Sequence, residues 1–119
     1  MARIHNLRRK STLALRQRKD LLLSQLKVDP DLLRASFVER FSVCGKKNCH
    51  CHHGGEKHGP FYYLTQCLAV GKVAKFLLKT PAQQSQARVG VAHYRQLQEQ
   101  LEELSQINAE LLRREDPLQ

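Results

Sequence analysis

The stretch CGKKNCHCHHGGEKHGP, residues 44–60, holds three of the four cysteines and four of the six histidines of this chain. Clustered cysteines in a reducing compartment favour metal or redox chemistry over disulfides. The spacing C-x4-C-x-C-x6-H supplies the four soft or borderline ligands that zinc takes in a closed tetrahedral site. The stretch therefore predicts a structural zinc ion that closes a loop between two strands.

Three cysteines and one histidine make up the predicted ligand set: Cys44, Cys49, Cys51 and His58. The histidine is assigned because it stands at the far end of the loop and is followed by Gly-Pro, which fixes the exit into the next strand. Three other histidines remain alternatives for the fourth position: His50, His52 and His53. A solvated loop with incidental cysteines also stays open as an interpretation.

Catalysis and redox exchange are weaker interpretations of the same stretch. A hydrolytic zinc needs an open coordination position and a nearby base, for which Glu56 is the candidate within the loop. Three thiolates make zinc a poor Lewis acid, and the sequence lacks the H-x-E and C-x-x-C pattern of the zinc deaminases. A C-x-x-C redox motif is missing as well. We therefore expect no enzyme.

The flanking sequence predicts an α+β fold that begins with a helix over residues 11–28. Leucines recur there at spacings of seven and four, at Leu15, Leu22 and Leu26, with Ser11 as a plausible N-cap. The dipeptide Asp-Pro at 29–30 ends the helix, because the residue before a proline is pushed out of the α region.

Residues 36–80 predict a three-stranded antiparallel meander whose first connection is the zinc loop. The strands are expected over 36–43, 61–68 and 73–79, with a turn at Val-Gly-Lys between the last two. A long helix is predicted over residues 81–115, and an interruption near Gly90 stays open as an alternative. Thr80 is a fair N-cap for this helix, and Pro81 fits its first position.

The length predicts one domain over residues 11–119, preceded by a basic flexible arm at residues 1–10. The N-terminus does not resemble a secretory signal, and no apolar run approaches the roughly 18 residues that cross a membrane. We therefore expect a cytoplasmic protein without a membrane segment.

The net charge of +9 is unevenly distributed along the chain. Residues 1–20 carry seven basic residues and one acidic residue, and residues 21–80 carry nine and four, whereas residues 81–119 carry four and six. An excess of positive charge of this size is typical of a chain that meets polyanions. The predicted phosphate-binding residues are Arg8, Arg9, Lys10, Arg16, Arg18, Lys19, Lys46, Lys47, Lys72, Lys75 and Lys79.

Nucleic acid is the expected polyanion, although the basic arm has a second interpretation as a solvated tail. Lys75 and Lys79 share a face if the last strand is regular. Tyr62 or Tyr63 could stack on bases, or could simply pack inside the small sheet. The sequence does not distinguish DNA from RNA.

The last helix carries a heptad stripe, which is the candidate surface for a protein partner. Its members are Tyr94, Leu97, Leu101, Leu104, Asn108 and Leu111. One interpretation is that the stripe packs on the sheet. The other is a coiled-coil dimer whose register is fixed by the asparagine, or a helix that docks a different protein.

The motif Cys-Gly-Lys-x-Asn-Cys-x-Cys, followed by His-Gly-Pro-(Phe/Tyr)-Tyr-Tyr-Leu and a Gly-Lys turn, resembles that of a family of small uncharacterised prokaryotic proteins. The matching residues are Cys44, Gly45, Lys46, Asn48, Cys49, Cys51, His58, Gly59, Pro60, Tyr62, Tyr63, Leu64, Gly71 and Lys72, and the resemblance covers roughly residues 36–112. Members of this family often occur near mobile genetic elements. The resemblance implies that context and favours His58 as the fourth ligand, but it implies no activity.

These observations together predict a small zinc-binding, nucleic-acid-associated accessory protein of a prokaryotic mobile element. The alternative is a protein-interaction module that docks a partner, or a second copy, through its C-terminal helix. No small-molecule substrate is expected.

Overall fold

The structure is a computed structural model that describes residues 6–49 and 52–119. Its elements are helix α1 at Thr12–Gln25, strands β1 at Ser36–Ser42, β2 at His58–Ala69 and β3 at Lys72–Leu77, and helix α2 at Pro81–Arg113. The α+β prediction is confirmed. Two residues of the predicted zinc loop, His50 and Cys51, lie outside the described residues, as does the first half of the predicted arm.

Helix α1 begins at the predicted cap. The side-chain oxygen of Ser11 accepts a hydrogen bond from the backbone N–H of Ala14 at 3.1 Å, which satisfies one of the free donors of the first turn. The helix ends at Gln25, because Leu26 is already extended, with φ −62° and ψ 124°. It therefore ends three residues before the segment that the sequence predicted.

The three strands form one antiparallel sheet in the order β1-β2-β3. Strand β2 has 12 residues, whereas β1 has 7 and β3 has 6. The first residues of β2 pair with β1 alone, and its last residues pair with β3 alone. The turn between β2 and β3 consists of Val70 and Gly71, and the positive φ of 75° at Gly71 explains why a glycine stands there. The predicted meander is thus confirmed, with β2 starting at His58 rather than Phe61.

Helix α2 starts with a reciprocal cap. The Thr80 hydroxyl accepts from the N–H of Gln83 at 3.1 Å, while the Gln83 side-chain oxygen accepts from the N–H of Thr80 at 3.3 Å. The helix continues through Gly90 without the interruption considered from the sequence. The carbonyl of this buried glycine accepts a hydrogen bond from the N–H of Leu33 at 3.0 Å.

The chain divides into two compact units. The helical unit comprises the described residues up to Leu32 and those from His93 onward, and the sheet unit is Leu33–Ala92. The single domain over residues 11–119 stays a prediction.

The helical unit has an apolar core of five buried residues: Leu7, Leu15, Leu22, Ile107 and Leu111. Leu104 packs against them. The lower part of the heptad stripe therefore contacts α1, which neither interpretation of the stripe had included. Leu7, within the predicted flexible arm, is only 7% exposed in this core.

An acidic side chain borders the same core. Glu110 is 7% exposed and accepts hydrogen bonds from Arg113 and Arg114 at 3.0 Å. Hydrogen bonds from Arg113, and then from Arg114, hold the pKa of this carboxyl below its ordinary value. The Arg114 guanidinium also donates to the carbonyls of residues 7, 8 and 10, which ties the described part of the predicted arm to the residue that follows α2.

The sheet unit has a second core between the sheet and the first half of α2. Its buried members are Leu64, Leu78, Ala87 and Val91, and Leu33, Ala35, Phe37 and Tyr62 pack against them. The rings of Phe37 and Tyr62 lie 5.3 Å apart, and the Arg88 guanidinium lies over both.

Among the described residues, no helix has the length and apolar character that crossing a bilayer requires.

A matched pair of neighbouring leucines tests the core of the helical unit. Leu22 is 1% exposed and Leu23 is 49% exposed. We expect Leu22→Ala to lower the free energy of unfolding by about 2–5 kcal/mol, because the cavity adds to the lost transfer energy. Leu23→Ala should cost less than about 1 kcal/mol. Urea unfolding followed by circular dichroism measures both, and equal losses would contradict this packing.

Candidate metal centre

The pairing of β1 with β2 brings the two ends of the cysteine loop together. The last pair in the register joins Ser42 to His58, and Cys44 follows only two residues later. Because antiparallel partners lie about 5 Å apart, the histidine at the start of β2 must lie close to the chain that leaves β1. The hairpin thus places two candidate ligands, Cys44 and His58, at one end of the sheet.

Gly59 allows the strands to approach this closely. Its φ is 143°, and a Cβ there would lie 2.8 Å from the carbonyl oxygen of Arg40 and 2.9 Å from Cδ1 of Phe41. Both contacts are closer than real Cβ atoms tolerate, so a side chain would push β2 away from β1. The position next to His58 therefore requires a glycine for two reasons, which are backbone conformation and space.

Cys49 reaches the same place through a turn within the loop. Its N–H donates to the carbonyl of Lys46 at 3.1 Å, and its own carbonyl accepts from the N–H of His52 at 3.0 Å. These bonds fold the loop back, so that the Cys49 sulfur lies 3.1 Å from Nε2 of His58. Both side chains are part-buried.

Three ligand atoms converge at the end of the hairpin. The sulfurs of Cys44 and Cys49 and a ring nitrogen of His58 all lie within 4.8 Å of one another. In a tetrahedral zinc site, metal–ligand distances of about 2.0–2.3 Å separate the ligand atoms by about 3.5–3.8 Å. Small side-chain movements would therefore suffice for these three groups to hold a metal ion.

The remaining candidate ligands are placed as follows. Cys51 and His50 lie outside the described residues, so the predicted third thiolate stays a prediction. The ring nitrogen Nε2 of His52 lies 2.6 Å from the backbone oxygen of Cys44, where it supports the loop next to the cluster. His53 is exposed. Among the described residues, the histidine in the metal-binding group is thus His58.

The predicted phosphate-binding residues on α1 are engaged within the helical unit. Arg16 donates to the Asp116 carboxylate at 2.9 Å and to the carbonyl of Pro117. Arg18 binds Glu103 in a bidentate pair at 2.6 and 2.8 Å, and Lys19 donates to the carbonyl of Leu118. These three cations face carboxylates and carbonyl groups of their own unit, which makes them poor candidates for phosphate contacts.

The cations of the sheet unit have a different setting. This unit contains nine basic residues and two acidic ones, so it carries +7 of the net charge of +9. Its predicted phosphate-binding residues are all exposed: Lys46, Lys47, Lys72, Lys75 and Lys79. In the N-terminal segment Arg8, Arg9 and Lys10 are exposed as well. The ammonium group of Lys75 lies 4.4 Å from the centre of the Tyr63 ring.

The six residues of the predicted partner stripe are only partly available. Leu111 is fully buried and Leu104 packs against the helical core, whereas Leu101 is 49% exposed. Tyr94, Leu97 and Asn108 are half-buried. The side-chain oxygen of Asn108 is buried without a hydrogen-bond partner within the described part of the chain.

Residues 12–67 match the protein family described as Domain of unknown function (DUF6788). The match covers just under half of the chain and runs from α1 to Cys67 in β2, so it includes the whole cysteine loop. No curated protein and no solved structure matches the chain.

The glycine beside the candidate ligand provides a direct test of this geometry. Gly59→Ala should destabilise the protein by about 1–3 kcal/mol through backbone strain alone. It should also weaken metal binding, because it moves His58 away from the cysteines. Gly45→Ala is the matched control, since a Cβ there meets nothing within 4 Å. Thermal unfolding and a metal titration of both variants measure the two effects, and identical behaviour would refute the assigned role of Gly59.

Proposed function

We propose that the chain is a small zinc-binding, nucleic-acid-associated accessory protein. The observation that carries the metal half of this proposal is the convergence of Cys44, Cys49 and His58 within 4.8 Å. Two thiolates and an imidazole are a donor set that suits zinc rather than magnesium or calcium, which take oxygen ligands. Cys51 is proposed to complete the set as the third thiolate, since it lies two residues beyond Cys49 in the spacing C-x4-C-x-C.

The role proposed for zinc is structural. The described residues between β1 and β2, 43–49 and 52–57, contain no strand, and the two strands pair nearest to this loop at Ser42 and His58. A metal bound by residues at the start, middle and end of this loop holds it closed and fixes how β2 begins. In such sites the free energy of metal binding becomes free energy of folding. Four protein ligands leave no open position for a substrate, which is why we propose no enzymatic activity.

The nucleic-acid half of the proposal is supported by where the charge lies. The helical unit is nearly balanced, with eleven basic and nine acidic residues, whereas the sheet unit carries nine and two. Lys46 and Lys47 lie exposed in the metal loop, where zinc would hold them in place. Lysine contacts with phosphates give affinity without sequence choice and depend steeply on salt. The mobile-element context rests on the motif resemblance alone.

Loss of one ligand tests the zinc site. We expect Cys49→Ser to abolish stoichiometric zinc binding and to lower the melting temperature by more than about 5 °C, because stability supplied by the metal is lost. Zinc content by atomic emission and unfolding by circular dichroism measure the two effects. The matched control is Cys67→Ser, since this cysteine is exposed in β2, outside the cluster.

Cys51→Ser and His58→Asn extend the same test to the third thiolate and to the histidine. Both should reduce zinc affinity if the set is Cys44, Cys49, Cys51 and His58. Unchanged zinc content and stability in Cys49→Ser would refute the structural-zinc proposal. Full zinc binding by Cys51→Ser would instead assign the position of the third thiolate to another residue of the loop.

Binding of zinc-loaded protein to a labelled random duplex and to a labelled single strand tests the nucleic-acid proposal. Fluorescence anisotropy across a salt series should show binding at low salt that weakens steeply as salt is added. A plot of the logarithm of the association constant against the logarithm of the salt concentration should fall with a slope of about 0.7–0.9 for each phosphate contacted. Binding to neither probe at low salt would refute it. The exposed part of α2 around Leu101 would then become the surface to examine for a protein partner.

A further inference from the structure

The two faces of the sheet differ sharply. Successive side chains of β2 point to opposite faces of the sheet. The face that carries Leu64 packs into the core of the sheet unit, and the opposite face carries Phe61, Tyr63 and Thr65. We call this opposite side the outer face. Pairing adds neighbours from both flanking strands, because directly paired residues point to the same side: Val38 and Arg40 from β1, and Val73, Lys75 and Leu77 from β3.

The two neighbouring tyrosines, which the sequence could not distinguish, lie on opposite faces of the sheet. Tyr62 packs on Phe37 in the sheet core, with Arg88 over its ring. Tyr63 lies on the outer face, in a row between Val38 and Leu77. The ammonium group of Lys75 lies over its ring, at 4.4 Å from the ring centre. Only Tyr63, therefore, combines an outward position with a cation.

Apolar and aromatic surface is exposed around this tyrosine. Phe61 is 37% exposed, Leu77 is 37% exposed and Val73 is 62% exposed. Phe61 and Tyr63 are two residues apart on one strand, which places their side chains about 7 Å apart on the same side. Two aromatic side chains at this spacing form a platform on which consecutive flat groups can stack.

The charge around the platform has one sign. Arg40 lies opposite Phe61, and Lys75 lies diagonally beside Tyr63. Both acidic residues of the sheet unit lie elsewhere, since Glu39 pairs with Tyr62 on the core side and Glu56 is in the metal loop. A ligand that suits this face therefore offers flat apolar rings together with negative charges.

We propose that the outer face binds single-stranded nucleic acid, with Tyr63 and Phe61 stacking on bases and Lys75 and Arg40 contacting phosphates. This inference rests on the proposed nucleic-acid function and specifies its surface and its substrate class. Stacking on aromatic side chains in a positively charged setting is how proteins hold single strands with little sequence preference. A duplex fits less well, because its bases are stacked on each other and offer the sheet only their edges and the backbone.

The metal centre would support this surface directly. His58 and Phe61 belong to the same strand, three residues apart, and the close approach at Gly59 joins that strand to Arg40. A zinc ion that fixes the start of β2 would therefore also fix the two aromatic side chains and the arginine in relation to each other. Single-strand binding by the outer face should consequently require the metal-loaded protein.

Three variants of the zinc-loaded protein test the proposal against a labelled 20-nucleotide oligo(dT) and a duplex of equal length. Tyr63→Leu removes the ring but keeps an apolar side chain, and should weaken single-strand binding about tenfold. Tyr63→Phe keeps the ring and should bind as the unchanged protein does. The matched control is Phe76→Leu, which removes an aromatic ring that is 54% exposed on the other side of the same sheet.

A charge pair completes the design. Lys75→Gln should weaken single-strand binding. It should also lower the slope of the salt dependence by the amount that about one phosphate contact contributes. Lys27→Gln makes the same chemical change in the helical unit, and should alter binding by less than about twofold. Thermal unfolding of every variant confirms that a loss of binding does not reflect a loss of structure.

The outcomes separate this inference from the proposed function. Equal affinity of Tyr63→Leu and Phe76→Leu for the single strand, in a protein that does bind nucleic acid, would overturn the outer-face proposal and leave the proposed function standing. Preference of the unchanged protein for the duplex would overturn it as well. Binding of neither probe would refute both, and an acidic protein would then be the remaining kind of partner for this face.

Discussion

The close backbone approach of β1 and β2 at Gly59 is the constraint on which the rest of the sheet unit depends. Without a side chain at this position, the strands pair up to Ser42 and His58. That pairing places His58 beside the chain that leads to Cys44, and the turn at Lys46–Cys49 brings in the second sulfur. The same pairing sets the register that puts Tyr63 on the opposite side of the sheet from Leu64.

The two compact units handle their charge in different ways. In the helical unit, arginines and lysines of α1 bind carboxylates and carbonyl groups near the C-terminus, and Glu110 is held by two arginines. The exposed pairs of α1 contribute little stability, but they neutralise charge locally. In the sheet unit nine cations meet two acidic residues. A chain whose excess of basic residues lies in its first two-thirds thus forms one nearly balanced unit and one strongly positive unit.

Much of the fold followed from local sequence patterns. Ser11 and Thr80 cap the two helices as expected, and Gly71 forms the tight turn between β2 and β3. These features depend on neighbours within four residues, and such short-range chemistry is readable in one dimension. The heptad stripe of α2 was harder, because an apolar stripe reveals that a helix buries one side without revealing what covers it. The structure places its lower part against α1.

The sequence by itself determined the α+β element order and the loop that holds the candidate ligands, with His58 assigned among four histidines, because capping, turn chemistry and ligand spacing are local properties of the chain. Only the tertiary structure decided which cations are engaged and which tyrosine faces outward. Arg18 pairs with Glu103 across 85 positions of sequence, and Tyr62 and Tyr63 differ only in which side of the pleat they occupy. The first depends on long-range packing, and the second on a strand register that shifts every side chain to the other face when it slips by one residue.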